Sequence, residues 1–433
     1  MTRCPRLRLL LAVVLAGALG TVVLAVSVSS GAQREPWDGS AVDRFVIEQM
    51  RKHRIPGIAL AVFENGEVTY TKGYGTAGHG QPMTPDSPMI IGSTTKAFTA
   101  VAILQLVERN MVDLDAPVRT YLPWFRVADS AASASITVRH LLNHTSGLSE
   151  LGYNRVLNPD TTLEQGVRDL RSARLTAPVG TTFHYFNPNY ATLALIIETV
   201  SGQSYRDYVT EHIFAPLEMT HSYANKEDAL KGGLAQGHSK LFGFPVPRSP
   251  IFRANMLGAN YIVSTVGDLS RFLIALDNGG LYRGARILSS ASATLMASPP
   301  MQTPNSFYGM GWAVGSHRGE RTGGHGGADE VFTCQAVLFP DQHRGYVLLM
   351  NQQHLIDGLV ASRQLQAGML DLLLARQPDA SGVSMRLIGM LILVVFLGAL
   401  LTTIRSFARL RGWREQAKAL TVGQVVSRIA PRL

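Results

Sequence analysis

The residues of this 433-residue chain that are best placed for chemistry begin with Ser93 and Lys96, in the stretch IGSTTKAFTA (91–100). The residues after Lys96 are apolar on nearly every side as far as Glu108, which predicts a helix buried all round. A spacing of three places the lysine amine on the same helical face as the serine hydroxyl. A buried lysine loses the solvation of its charged form, and its neutral amine can then accept the serine proton. The plainer interpretation is that Ser93 only caps the helix and Lys96 reaches out to solvent.

Two later segments carry further candidates. The segment PVGTTFHYFNPNY (178–190) predicts a turn that presents Tyr185 and Asn187 to one cavity, before a helix that begins near Pro188. The segment RTGGHGGADEVF (321–332) places four glycines around His325 and leads into a strand, where glycines let a ligand approach the backbone. Taken alone, the first segment fits an ordinary turn and the second fits a flexible hairpin with an incidental histidine.

Together, three short motifs resemble those of the serine β-lactamase and penicillin-binding-protein-like hydrolases. They are Ser93-Thr94-Thr95-Lys96, Tyr185-Phe186-Asn187 and His325-Gly326-Gly327, in this order along the chain. They are most similar to the class C branch, in which the second motif is Tyr-x-Asn and the third can be His-x-Gly. The segments 136–148, 202–222 and 262–276 also resemble family segments, so the resemblance covers roughly residues 40 to 375.

The resemblance implies an acyl-serine reaction. Ser93 would attack a carbonyl carbon and become acylated, while Lys96 and Tyr185 share the proton transfers. Tyrosine suits this role because a neighbouring lysine cation lowers the cost of its phenolate.

The resemblance also implies how a substrate is held. Asn187 would orient Lys96 and a substrate amide, and His325 would line the cleft opposite Ser93. Gly327 and Ala328 would lie at the substrate-binding edge. The backbone N–H groups of Ser93 and Ala328 would form the oxyanion hole.

Two departures from the family pattern affect the expected substrate. Phe186 stands where a small residue is usual, so we expect it to alter a wall of the site. His325 replaces a lysine and so removes a permanent cation, which argues against efficient penicillin hydrolysis. An esterase, an amidase or a peptidase acting on D-amino-acid peptides fits at least as well. The alternative, favoured by Phe186, is a catalytically silent module that binds cell-wall fragments or a protein.

A metal site is the other chemistry that the histidines suggest. His140 and His144 are four residues apart on a predicted helix, but the glutamate of an HExxH motif is absent. The other histidines show no ligand spacing. We therefore expect neither a metal nor another cofactor.

The net charge of +9 lies at the two ends of the chain. The first eight residues contribute +3 and residues 386–433 contribute +7, so the middle is close to −1 and offers no basic groove for nucleic acid. The basic ends flank two apolar runs, Leu9 to Val28 and Leu387 to Ile404, each long enough or nearly so to cross a bilayer. Basic flanks stay in the cytoplasm, which predicts an exported middle. The first run is alternatively a cleaved signal, and the basic tail is expected to contact anionic membrane lipid.

Strand patterns at both ends of the exported part surround a helical centre. Residues 38–53 and about 355–376 predict helices, Glu64-Asn65-Gly66 predicts a hairpin turn, and 308–315, 331–340 and 345–353 predict strands. We expect an α+β fold, an antiparallel sheet built from both ends and flanked by helices, with a mainly helical insertion and terminal transmembrane helices. The predicted parts are an anchor or signal (1–30), the hydrolase domain (38–376), a linker (377–386), a transmembrane helix (387–404) and a cytoplasmic tail (405–433).

Overall fold

A computed structural model describes residues 39–153, 160–241, 243–299, 308–354, 357–378 and 395–407 of the chain. Its strands are β1 Gly57–Glu64, β2 Glu67–Gly78, β3 Gln81–Pro82, β4 Met89–Ile90, β5 His238–Leu241, β6 Phe244–Pro247, β7 Val263–Ser264, β8 Leu281–Tyr282, β9 Ala285–Arg286, β10 Ala313–His317, β11 Glu320–Ala328, β12 Thr333–Phe339 and β13 Arg344–Met350. Its helices are α1 Gly39–His53, α2 Thr95–Glu108, α3 Ser130–Ser135, α4 Val138–Leu142, α5 Leu163–Arg168, α6 Asn187–Ser201, α7 Tyr205–Val209, α8 Lys226–Lys231, α9 Val266–Asp277, α10 Ser290–Met296 and α11 Asp357–Leu373.

Within the described residues the main sheet has seven strands in the order β10-β11-β12-β13-β1-β2-β3. Neighbouring strands are antiparallel throughout. The pair β13 and β1 joins the late and early parts of the chain, with Ile58 opposite Met350 and Glu64 opposite Arg344. The predicted α+β fold, with an antiparallel sheet flanked by helices, is confirmed.

The hairpin between β1 and β2 forms at the predicted turn. Asn65 and Gly66 both have positive φ, 51° and 82°, which two-residue hairpin turns require. Residues of β1 then alternate between two cores, because successive side chains of a strand point to opposite faces. Ile58 and Leu60 pack into one apolar cluster, whereas Ala59 and Ala61 pack into the other.

Helices α1 and α11 cover one face of the sheet together. Their apolar side chains share a core with β1 and β13. His53 Nε2 lies 3.0 Å from Gln364 Oε1, and Phe45 packs against Gly368. These pairings run the two helices in opposite directions, so the start of α1 and the end of α11 lie at the same end of the helix pair.

The opposite face of the sheet carries the predicted helical insertion. The buried sides of α2, α6 and α9 share one large core with that face. Nearly every residue of α2 from Thr95 to Leu106 is buried, as its apolar sequence predicts. This helix begins directly after the turn that carries Ser93.

The predicted strand 308–315 is partly wrong. β10 begins only at Ala313, and Tyr308 forms an isolated bridge to that residue. Gly311 has a φ of +64°, and a Cβ atom there would lie 2.5 Å from the carbonyl oxygen of Lys96. The chain therefore turns tightly against α2 at this point and cannot run straight into the strand.

By its internal contacts the chain divides into one unit of residues Glu35–Gly382 and a second unit of the two terminal segments. The predicted membrane segment at Leu9 to Val28 lies outside the described residues, and so does 387–394 of the second one. Residues 395–407 are helical. No helix among the described residues is long and apolar enough to span a bilayer. The predicted boundaries of anchor, linker and tail stay predictions.

Candidate active site

Ser93 lies in a single 3₁₀ turn, Gly92–Thr94, immediately before α2. Two contacts fix this turn against neighbouring elements. The Ile91 N–H donates to the Ile262 carbonyl at 2.9 Å, and the Thr94 hydroxyl donates to the His325 carbonyl at 3.2 Å. The nucleophile candidate is therefore placed by the segment before β7 on one side and by β11 on the other.

Lys96 is fully buried and does not reach solvent. Its Nζ lies 3.1 Å from Ser93 Oγ, 2.7 Å from Asn187 Oδ1 and 2.8 Å from the Ala259 carbonyl oxygen. Three acceptors match the three N–H bonds of an ammonium, and loss of one proton leaves a lone pair that can face Ser93. The predicted convergence of Ser93, Lys96 and Asn187 is what the structure shows, while the Ala259 contact was not foreseen.

Tyr185 stands at the mouth of the site, with 36% of its surface exposed. Its ring lies 4.7 Å from Lys96 Nζ, and its hydroxyl hydrogen-bonds to Ser93. Burial by the surrounding protein atoms raises the pKa of Tyr185, and the Ser93 hydrogen bond only partly offsets this. The expected stabilisation of a phenolate by Lys96 is thus outweighed in the resting protein, where Tyr185 keeps its proton at neutral pH.

Asn187 is the first residue of α6, and Phe186 is the residue before that helix. Phe186 is fully buried and packs edge-on against Tyr153, with ring centroids 5.9 Å apart. The expectation that Phe186 alters a wall of the site is not supported, because its side chain packs into the core while those of its two neighbours reach the lysine. Phe186, the residue that favoured a silent binding module, therefore no longer supports that alternative.

The third motif lies within β11 itself. β10 pairs with β11 only as far as Gly324, so along 325–328 the described residues of β10 leave that edge of the strand uncovered. A Cβ atom on Gly327 would lie 2.9 Å from Ser93 N, and one on Gly92 would lie 2.3 Å from Ala328 N. The backbone nitrogens of Ser93 and Ala328 therefore lie beside each other, as the predicted oxyanion hole requires.

His325 is buried at the inner side of this strand. Its Nδ1 faces the Gly326 carbonyl, and its Nε2 lies 2.9 Å from the Tyr308 hydroxyl. Burial and the nearby charge of Lys96 lower the pKa of His325 to about 3. This histidine is neutral at physiological pH and supplies no fixed cation. Tyr308, its partner, was not among the predicted site residues.

The expectation that His140 and His144 share a helical face is wrong. α4 ends at Leu142, and His144 follows with a φ of +55°. His140 Nδ1 accepts the Thr137 N–H at the start of α4, whereas His144 Nδ1 accepts the Phe186 N–H at 3.2 Å. In the part of the chain that the structure describes, no three His, Cys, Asp or Glu side chains form a group that could hold a metal ion.

Comparison with known proteins agrees with this arrangement. A sequence model of the Beta-lactamase family matches residues 42–368. This chain belongs to the Beta-lactamase family. The match spans the sheet, the helical insertion and all three motifs, so the Beta-lactamase family membership rests on the same elements that form the site.

Penicillin-binding protein 4 of Amycolatopsis lactamdurans is similar to this Beta-lactamase family member, with 32% identity over 64% of this chain and 76% of the relative. The octameric penicillin-binding protein homologue from Pyrococcus abyssi has a similar structure, with a TM-score of 0.71, 30% identity and 79% of each chain covered. The D-amino acid amidase from Ochrobactrum anthropi superposes with a TM-score of 0.65 at 25% identity, over 78% of this chain and 96% of the amidase. The chain spans only 62% of the length of longer relatives from Staphylococcus aureus.

Proposed function

We propose that this protein is a membrane-anchored extracytoplasmic serine hydrolase, class C-like in its motifs, that acts through an acyl-Ser93 intermediate. One observation carries the catalytic part of the proposal. The buried Lys96 amine lies within hydrogen-bond distance of Ser93 Oγ and of Asn187 Oδ1, beneath the ring of Tyr185. A nucleophile with a buried amine in contact is the arrangement that activates a serine hydroxyl.

The reaction proceeds by two acyl transfers. Ser93 Oγ attacks the substrate carbonyl carbon and passes its proton to the neutral amine of Lys96. The N–H groups of Ser93 and Ala328 stabilise the oxyanion, which such donors achieve at roughly 3–4 kcal/mol each in other enzymes. The leaving oxygen or nitrogen takes a proton through Tyr185 and departs. A water molecule then gives a proton to Lys96 through Tyr185 and attacks the Ser93 ester. As the ester bond breaks, Lys96 returns this proton to Ser93 Oγ and the acid is released.

The preferred substrates are esters and amides, including D-amino-acid amides and peptides. The neutral His325 offers no cation to a carboxylate near the leaving group, which disfavours β-lactams and peptides with a free terminal carboxylate at that position. Aromatic groups surround this side of the cleft instead: the rings of Tyr185 and Tyr308 lie 6.1 Å apart and perpendicular. The similarity to a protein named as a D-amino acid amidase supports the amide part of this substrate range.

Anchoring in the membrane follows from the two apolar runs with basic flanks. The helical residues 395–407 support it, because their large apolar side chains are exposed on all sides, among them Phe396 and Leu400. The tail after this segment, rich in arginine, would contact anionic lipid headgroups. Exposed apolar side chains on every face of a helix are stable in lipid and unfavourable in water.

The ends of the hydrolase domain also support tethering at one side. The start of α1 and the end of α11 lie together, and the Leu373 carbonyl at the end of α11 accepts from Arg344 at the start of β13. Ala328 pairs with Thr333, which in turn pairs with Met350 at the other end of β13. The candidate site therefore lies at the opposite end of β13 from the ends of α1 and α11, about 20 Å away, the length of a seven-residue strand.

Labelling with a fluorescent fluorophosphonate tests the proposed activity. The full-length protein in membranes should be labelled on Ser93, as mapped by mass spectrometry of the tryptic peptide, and S93A should not be labelled. A panel of ester, D-amino acid amide, D-peptide and cephalosporin substrates then ranks the substrate classes. Absence of any acyl or phosphonyl adduct with intact, folded protein would favour the silent binding module.

A further inference from the structure

His144 is buried behind the candidate site and contacts the turn that carries the second motif, Tyr185-Phe186-Asn187. Its Nδ1 accepts the Phe186 N–H at 3.2 Å and the Asn189 side-chain N–H at 3.2 Å, while its carbonyl accepts the His184 N–H at 2.9 Å. These three donors flank Tyr185 on both sides in sequence. No other side chain described here hydrogen-bonds the backbone of this turn between its tyrosine and its asparagine.

We propose that His144 is a positioning residue for the reaction at Ser93, holding the turn so that Tyr185 and Asn187 converge on Lys96. This inference rests on the proposed hydrolase function. The His144 ring also lies against the Tyr185 ring, with centroids 4.5 Å apart. Both neighbours of Phe186 depend on the backbone conformation that this one histidine nitrogen fixes.

The hydrogen bonds define which form of the imidazole is present. Nδ1 accepts two N–H groups, so the proton of the neutral ring is on Nε2. Nε2 is buried with no hydrogen-bond partner in the described residues, and the centroids of the Tyr185, Tyr190 and Tyr308 rings lie 4.5, 5.0 and 5.1 Å from the centroid of the His144 ring. Burial, with Lys96 and His325 nearby, holds the pKa of His144 well below its usual value. A ring fixed in one neutral form positions its neighbours and carries no proton in the reaction.

Because of the backbone conformation at His144, substitutions can separate the contribution of its Nδ1 acceptor from that of its ring. His144 has a φ of +55°, a conformation that asparagine adopts readily and most side chains do not. In His144→Asn the side-chain oxygen can take the place of Nδ1, so the acceptor remains while the ring is lost. In His144→Phe the ring remains while the acceptor is lost, and the Phe186 N–H stays buried without a partner.

In this proposal the Nδ1 acceptor, and not the ring, positions the turn, so H144F and H144N should differ in kcat. Per active site, counted by fluorophosphonate titration, kcat of H144F should fall 10- to 100-fold, with KM changed less than threefold, because small misplacements of catalytic groups cost about this much. H144N should stay within about fivefold of the wild type. The matched control is H140F, which removes a similar bond from a backbone N–H to a histidine Nδ1 four residues earlier, at the start of α4. Its kcat should be unchanged.

Several outcomes would overturn the role of His144. One is that H144F and H140F have equal kcat values while the wild type turns over substrate. Another is a crystal structure of H144F in which Tyr185 and Asn187 have not moved, which tests the inference even without turnover. Absence of turnover by the wild type itself counts against the proposed function instead. If H144F does not fold, His144→Met also removes the acceptor for the Phe186 N–H, and a kcat equal to that of H140F there excludes the role.

Discussion

The backbone of Gly92 lies directly against the backbone of Ala328, so that a Cβ atom on Gly92 would stand 2.3 Å from the Ala328 nitrogen. Gly92 also has a φ of +55°, which aims the following N–H of Ser93 toward β11. Two segments far apart in the chain thereby bring two N–H donors to one place. Only a glycine at position 92 permits this approach.

Gly92→Ala should therefore reduce kcat/KM by at least 100-fold, the cost of one misplaced oxyanion donor in other enzymes. The methyl group must push the turn and β11 apart, so Ser93 N and Ala328 N no longer converge. Hydrolysis of a chromogenic ester by the full-length protein measures the effect. The control is Gly80→Ala, whose φ of +76° imposes similar backbone strain but whose Cβ meets nothing within 4 Å. Equal activity of the two variants would contradict the proposed oxyanion hole.

Lys96→Met should lower kcat by 10²- to 10⁴-fold, the usual range for loss of an acid–base group. Methionine fits the buried space but has no N–H for Asn187 Oδ1 or the Ala259 carbonyl. Thermal unfolding should still be cooperative, which separates lost chemistry from lost structure. Lys72→Met removes an exposed lysine paired with Asp43 and should leave turnover unchanged. A Lys96→Met enzyme with more than a tenth of the wild-type kcat would exclude Lys96 as the base.

Tyr185→Phe should reduce kcat by about 100-fold with little change in KM, because the ring and its contact with Lys96 remain while the proton-carrying hydroxyl is lost. Since burial raises the pKa of Tyr185, no loss of activity between pH 7 and 9 should arise from its ionisation. Tyr205→Phe removes a buried hydroxyl bonded to Thr99 at 2.7 Å and serves as the control. Equal pH–rate profiles and kcat values for both variants would argue against a role for Tyr185.

Sequence reasoning predicted the fold where local patterns were strong. The apolar run after Lys96 predicted a helix buried all round, and Asn65-Gly66 predicted the first hairpin. The pairing of strands from the early and late parts of the chain was predicted from strand patterns on both sides of a helical centre. The predicted strand began at residue 308, five residues before β10 begins. Gly309 and Gly311 lie between these two positions, and close packing of Gly311 against α2 sets the backbone conformation there.

The site was predictable for side chains in motifs and unpredictable for groups contributed by backbone or by packing. The Ala259 carbonyl that accepts from Lys96 has no signal in the sequence, since any residue carries a carbonyl. Tyr308 is close to His325 only because the chain turns beside α2. His140 and His144 stand out in the sequence because they are four residues apart. Since α4 ends at Leu142, His144 lies outside that helix and makes different contacts from His140.

Reporter fusions test the proposed orientation in the membrane. Green fluorescent protein placed after Leu433 should fluoresce, and alkaline phosphatase at the same site should be inactive, because the basic tail is expected to remain in the cytoplasm. Alkaline phosphatase placed after Pro378, ahead of the second apolar run, should be active outside. Phosphatase activity from the fusion at Leu433 would overturn the two-anchor arrangement.

The carboxyl group of Asp329, next to the proposed oxyanion donor, makes stability depend on pH. Its Oδ1 accepts the N–H groups of Val331 and Phe332, while its Oδ2 is buried with no hydrogen-bond partner in the described residues. Burial raises the pKa of Asp329 from 3.8 to about 7. The native state therefore retains a proton that the unfolded chain releases above about pH 4, so this group stabilises the fold at low pH, and that contribution is lost as the pH rises to 7.

Asp329→Asn keeps the acceptor for both N–H groups and cannot ionise, so its stability relative to the wild type should increase with pH. We expect little change in the difference below pH 4 and a gain on the order of 1–3 kcal/mol between pH 5 and pH 8. Denaturant unfolding at the two pH values measures it. The control is Asp341→Asn, because Arg321 lowers the pKa of that exposed carboxyl, which is therefore ionised in both states from pH 5 to pH 8 and should give a difference from wild type that does not change between them. A difference between Asp329→Asn and wild type that is the same at pH 5 and pH 8 would show that Asp329 is ionised throughout, and that its second oxygen is paired or hydrated in solution.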